Sequence, residues 1–150
     1  MSDLDQAYAA FIRACGATVA DEMQQFKVDY FRSLKDVAVY CPHTGEQLTL
    51  GNAEHEYIPP LTLEKMVRQF ITKHHVDYVS ARYEGGKLAD TQLVTAWRRF
   101  HWRYAKLRLV ARDDCFWQEP NAEQWERRQM VRDDMAALGW RFVGNPKIAL

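Results

Sequence analysis

No stretch of this 150-residue chain approaches the roughly 18 uninterrupted apolar residues that a membrane span requires, so we expect a protein outside the membrane. The opening residues, Met1-Ser2-Asp3-Leu4-Asp5, lack the basic start and apolar run of a signal peptide, which argues against secretion. The three cysteines, Cys15, Cys41 and Cys115, are odd in number, widely spaced and form no C-x-x-C pair. That usage excludes a disulfide framework and suits reduced thiols in a cytoplasm. Glycine and proline are sparse, at 7 and 5 residues, and no low-complexity tract interrupts the chain, so the composition excludes a disordered polypeptide. Charge of one sign is lacking too: 20 basic residues meet 20 acidic ones, which leaves only local asymmetry to argue from.

Apolar residues are plentiful enough to build a core at the usual size of one domain. The expectation is a helix-rich α+β single domain with three parts: an N-terminal helical hairpin over residues 1–36, a small β-hairpin core over 37–114, and a C-terminal helix and tail over 115–150. Leu4, Tyr8, Phe11, Ile12 and Cys15 recur at helical spacing, with Gly16 as the predicted stop. Val19, Met23, Phe26, Tyr30 and Leu34 repeat the pattern to about Lys35, giving the second arm of the hairpin.

Short β-prone runs, Val37-Ala38-Val39-Tyr40 and Gln47-Leu48-Thr49-Leu50, flank a turn-rich Cys41-Pro42-His43-Thr44-Gly45 and predict a β-hairpin. Thr62 is a good cap for a helix whose core face is Leu63, Met66, Val67, Phe70 and Ile71, and His74-His75 reads as its solvated end. Residues 76–89 predict a loose hairpin or long loop around Gly85-Gly86, and Asp90 caps a helix running to about Lys106. Residues 106–110 either finish that helix or begin a strand. Pro120-Asn121 opens the last helix, with Val131, Met135 and Leu138 as its buried stripe and Gly139 as its stop.

Three segments, taken in order, resemble a known pattern: Cys41-Pro42-His43-Thr44-Gly45-Glu46, then Ala53-Glu54-His55-Glu56-Tyr57-Ile58-Pro59-Pro60-Leu61-Thr62, then Phe100-His101 with Ala105-Lys106-Leu107-Arg108-Leu109-Val110. They are similar to the HNH (His-Asn-His, ββα-metal) endonuclease superfamily. The subgroup in question carries a C-P-x-T-G turn, a segment like A-H-V-D-H-x-P-P-L-T-F, and a later F-H-x-x-x-A-x-L-R element followed by asparagine. The similarity spans residues 39–114, about half the chain, and rests on the shared order of short pieces.

The resemblance implies a histidine that removes a proton from the attacking water, beside an aspartate that binds a divalent metal such as magnesium or manganese. Aligned on Pro59-Pro60-Leu61-Thr62, the aspartate position is Glu56 and the histidine position is Tyr57. Glutamate can still hold a metal. A phenol, with an ordinary pKa of about 10, is a poor general base at neutral pH. The orienting asparagine falls near Asp114, and no histidine follows His101.

Positions that change together in this way are expected where the fold was kept and hydrolysis lost, so Glu56, Tyr57 and Asp114 mark a remodelled site. A rearranged metal site would draw on Glu54, His55, Glu56 and Asp113 or Asp114. Strand alternation puts Glu54 and Glu56 on one face and His55 with Tyr57 on the other, so His55 cannot simply replace Tyr57 beside Glu56. Zinc is a weaker reading. Cys41 and His43 supply one close pair where structural zinc commonly uses two, and a small buried cysteine with a turn histidine explains them better.

Residues 97–112 carry Arg98, Arg99, Arg103, Lys106, Arg108 and Arg112 without one acidic residue. On a helix, Leu93, Trp97, Phe100 and Tyr104 form the buried stripe, with His101 at its edge. Arg98, Arg99, Trp102, Arg103 and Lys106 then share the opposite face, where cations suit phosphates and an indole suits a base or a partner. The alternative is that these arginines pair with acidic helices elsewhere in the chain.

The expected function is therefore a non-catalytic HNH-like module that binds nucleic acid or a nucleic-acid-processing protein. By analogy of resemblance, it would serve as an accessory or inhibitory factor of a phage or mobile element. An active divalent-metal endonuclease with a rearranged site is one alternative. A protein-only module that docks on a host enzyme is another.

Overall fold

Residues 3–34 alternate good helix formers with apolar positions. In the computed structural model, which describes residues 2–112 and Glu126, they form one continuous helix, α1 (Asp3–Leu34). Ser2 begins it, its hydroxyl oxygen accepting from Asp5 N. The expected hairpin with a stop at Gly16 is thus corrected. Gly16 stays helical because its missing side chain makes room: a Cβ there would lie 2.9 Å from Leu63 Cδ2. Glycine lowers helix propensity by only about 1 kcal/mol, a cost that tertiary packing can outweigh.

The remaining elements are β1 (Ala53–Tyr57), α2 (Leu63–His74), β2 (Tyr83–Glu84), β3 (Lys87–Leu88), α3 (Thr91–Tyr104) and β4 (Leu107–Ala111). Among the described residues, three helices and two small antiparallel sheets, β1 with β4 and β2 with β3, make the fold α+β. The expected C-terminal helix, with Val131, Met135, Leu138 and Gly139, lies outside the described residues, as do Asp113, Asp114 and Cys115. No helix among the described residues is long and apolar enough to cross a membrane. By its contacts the chain divides into two compact units. One comprises Met1–Met23 and Pro59–Ala105, the other Gln24–Ile58 and Lys106–Leu150.

The first unit is built on aromatic packing. Phe11, Cys15, Val19, Met66, Val67, Phe70 and Trp97 are all fully buried. The Phe70 ring lies 5.3 Å from Trp97 and 5.4 Å from Phe100, and the Trp97 indole donates to Cys15 O at 2.9 Å. Burial in this apolar setting pushes the Cys15 thiol well above its ordinary pKa, so it behaves as a small hydrophobe.

Caps fix the helix ends of this unit. The Thr62 hydroxyl accepts from Lys65 N and the Asp90 carboxylate accepts from Leu93 N, as their residue types predict. His75 closes α2 in the left-handed region (φ 51°), its N–H donating to Ile71 O. The β2–β3 hairpin turns on Gly85 and Gly86, both at positive φ, and Thr18 ties it to α1 by accepting from Leu88 N at 3.1 Å.

The second unit is organised by the β1–β4 ladder. Residues 107–110 are all buried and pair with β1, so the ambiguous stretch after α3 is a strand. Cys41, Leu48, Ala53, Leu109 and Val110 form its core, with Tyr30 and Phe31 packed against them. The expected hairpin over residues 37–50 reduces to a single bridge, Tyr40 to Gln47, around a turn in which Gly45 adopts φ 74°. Cys41 is buried, and its sulfur accepts from His43 N and Ala111 N, a packed role that accounts for the residue.

Candidate functional site

In the second unit, antiparallel register sets Glu56 directly opposite Arg108, which brings their side chains to the same face of the ladder. Arg108 Nε donates to Glu56 Oε2 at 3.0 Å, and His43, reaching over from the turn, places Nε2 2.8 Å from the same oxygen. Arg108 Nη2 also lies 3.1 Å from His43 Nε2. That ring nitrogen donates to Glu56 when it carries a proton and accepts from Arg108 when it does not. Partial burial alone would raise the Glu56 carboxyl, but the hydrogen bonds from Arg108 and His43 outweigh it and hold the group below the usual carboxylate range.

The cluster bears directly on the metal that an HNH-like site implies. Glu56 is the carboxylate expected to hold it, yet one of its oxygens already serves a nearly buried guanidinium and an imidazole. A divalent cation would have to displace or approach Arg108 against charge repulsion. Among the described residues no three His, Cys, Asp or Glu side chains gather as a metal-holding group. The described donors therefore do not fit a divalent ion at Glu56.

The other candidates of this segment fall elsewhere. Glu54 is exposed and opposite Val110, and His55 and Tyr57 are half-buried. Burial and the nearby Lys27 charge push His55 down to a pKa of about 4, which keeps its ring neutral. Lys27 is itself buried and donates to Ala53 O at 2.8 Å. Asp114 lies outside the described residues.

In the first unit, α3 sorts its side chains largely as expected. Trp97 and Phe100 are buried, and Arg99 and Arg103 are exposed. Three expectations are corrected. His101, placed at the edge of the stripe, is completely buried, because the helix packs over a wider arc than its apolar residues alone suggest. Tyr104, placed in the stripe, is 38% exposed, since it is the last residue of α3 and lies beyond Phe100, the last buried position of that stripe.

Trp102 is the third. It is half-buried and does not stand open among cations. It turns toward Glu22, as does Arg98, whose Nε donates to that carboxylate at 2.7 Å. Burial would raise the Glu22 carboxyl, but the hydrogen bond and charge of Arg98, with the Trp102 indole nearby, hold it low. For Arg98 the pairing alternative is thus the observed one. Among the described residues Arg99, Arg103 and Lys106 form no ion pair. Lys106 belongs to the second unit, so the five cationic and aromatic candidates do not form one continuous element.

Two groupings went unforeseen. The sequence predicts His43 as a turn residue, although the Glu56–Arg108 register that draws it in becomes visible once residues 107–111 form a strand. The other lies beside Tyr104. Lys73 Nζ donates to the Tyr104 hydroxyl at 3.0 Å and sits 5.1 Å from its ring centre, and the Arg103 guanidinium lies 5.5 Å from the same ring. No protein-family model, no curated protein and no solved structure matches this chain.

Proposed function

We propose that this chain is a nucleic-acid-binding module that keeps an HNH-like sequence pattern without metal-dependent hydrolysis. The observation that carries the reading is the surface of α3, where Arg99 and Arg103 are exposed with no ion pair to any described residue, and Arg103 lies over the exposed Tyr104 ring. Exposed cations beside an exposed aromatic match what phosphates and bases require of a protein surface. The second support is chemical. Glu56 is engaged by Arg108 and His43, and a tyrosine stands where the general base of the resemblance would be.

The test is binding of the full chain to a labelled oligonucleotide across a salt series. Affinity is expected to fall steeply with salt as phosphate contacts release counterions. The double variant Arg99→Glu with Arg103→Glu should bind on the order of tenfold more weakly, with a shallower salt slope by about one unit per lost cation, and should unfold at an unchanged temperature. Salt-insensitive or variant-insensitive binding would remove α3 from the account. Plasmid nicking in magnesium or manganese that disappears in Glu56→Ala would replace this proposal with an active endonuclease.

A further inference from the structure

The first unit contains a cleft of about 490 Å³ between α2 and α3, lined by Arg68, Gln69, Thr72, Lys73, Phe100 and Tyr104. No lining residue is acidic. Its wall is aromatic: Phe100 is nearly buried and braces Tyr104, with ring centres 4.8 Å apart, and Phe70 backs Phe100 at 5.4 Å. Tyr104 is therefore a partly exposed ring on a fixed base, anchored at its hydroxyl by Lys73. That hydrogen bond, with the Arg103 charge adding to it, holds the Tyr104 phenol below its ordinary pKa.

The cations differ in availability. Arg68 is committed to Glu64 at 2.9 Å and to the Tyr8 hydroxyl at 3.4 Å. Lys73, which lines the cleft, and Arg103, which lies beside it at the Tyr104 ring, are both exposed on long flexible stems and form no ion pair among the described residues. The occupant that complements this surface has a flat apolar face for the ring and negative charge for two mobile cations. A free base face is offered by single strands, since in a duplex each base is already stacked on its neighbours.

We infer that this cleft seats one nucleotide of a single-stranded nucleic acid, with its base against Tyr104 and its flanking phosphates on Lys73 and Arg103. On binding, the two cations move from the ring to the phosphates, and Gln69, which lines the cleft, offers an amide donor and acceptor to a base edge. The inference rests on the nucleic-acid reading above and deepens it.

The experiment uses the full chain with a labelled oligothymidylate, its abasic counterpart of equal length, and a duplex containing the same strand. The base-bearing single strand should bind roughly tenfold more tightly than the abasic one, as a single stacked base implies. Tyr104→Ala should remove that difference, while Tyr104→Phe, which keeps the ring, should stay within about threefold of the parent. Equal affinity for the abasic strand or the duplex overturns the stacking seat and needs no variant to show it. Salt-dependent binding that is weakened by the Arg99 and Arg103 reversals but indifferent to Tyr104→Ala would sink this inference and leave the proposed function standing. No binding of any strand by the parent chain would overturn both.

Discussion

Two sites, one in each unit, handle positive charge in opposite ways. Around Glu56, Arg108 is nearly buried, opposed across the β ladder by a carboxylate and bonded to an imidazole. Around Tyr104, Lys73 and Arg103 remain exposed over an aromatic ring, with no carboxylate among the described residues to hold them. The contrast shows how one chain with no net charge can contain both kinds of site. A cation removed from water must be matched internally, because desolvation costs several kcal/mol per ion. A cation left in water forms pairs of little value, typically about 0–1 kcal/mol, and stays available for a ligand. Sequence spacing alone places Arg103 and Arg108 in one basic run; backbone register and burial separate them.

The largest effect should come from breaking the matched site. Arg108→Ala would leave Glu56 with His43 as its remaining partner and would open space in a strand whose neighbours are buried. Because the Glu56 side chain is 34% exposed, water can partly replace the guanidinium, so the expected loss is about 2–3 kcal/mol rather than the higher cost of a fully buried pair. Arg108→Lys should recover only part of it, since one ammonium cannot serve Glu56 and His43 in the same planar arrangement. Urea unfolding measures both. By contrast Arg103→Ala should change stability by less than about 0.5 kcal/mol. Equal losses at Arg108 and Arg103 would dissolve the distinction between the two sites.

How much of this was legible in the residues follows from the range of the interactions. Thr62 and Asp90 were readable as caps because capping is local: the side chain bonds to an amide three residues on. The Gly85-Gly86 turn was readable for the same reason. Gly16 misled because its role depends on Leu63, far along the chain, and a helical glycine looks like a stop until its neighbour is known. The His43–Glu56–Arg108 cluster depended on strand register between segments about fifty residues apart, which no local pattern specifies. Tyr104 was misplaced because helical periodicity describes a face but does not say where that face runs out of core.

A smaller effect should appear as a pH dependence confined to the second unit's polar interior. His55 titrates near its ordinary value of 6.5 when unfolded but at about 4 when folded, because burial and the Lys27 charge disfavour its cation. Between those values the unfolded chain binds more protons, so stability rises with pH across that window. It is complete above about 6.5 and is lost as pH falls toward about 4. Allowing for solvent at a half-buried ring, the change should be on the order of 1–2 kcal/mol. The depressed Glu56 carboxyl begins to lose its contribution only below its ordinary value of 4.5, so the slope above that pH reports His55 without it. Denaturant midpoints measured from pH 4 to 7 should show this slope in the parent chain and a flatter one in His55→Gln. An unchanged slope would mean that the histidine is not the titrating group.

The smallest effect is the one that most sharply tests how the first unit packs. Gly16→Ala gains about 1 kcal/mol of helix propensity in the middle of α1. Against this, the new methyl would meet Leu63 Cδ2 at 2.9 Å, a separation that forces something to move. The obstructing atom is the far end of a flexible side chain in the first turn of α2, so a rotamer change can relieve it at a cost of about 0.5–1.5 kcal/mol. The two terms nearly cancel, and the variant should unfold within about 1 kcal/mol of the parent with unchanged far-ultraviolet helicity. Gly16→Leu, which no small rotation can accommodate, should lose about 1–3 kcal/mol. If alanine instead raised the helical signal and stabilised the chain by its full propensity, Gly16 would be an interruption in α1 rather than a contact, and the helical hairpin that the spacing predicts would be the better description of residues 3–34.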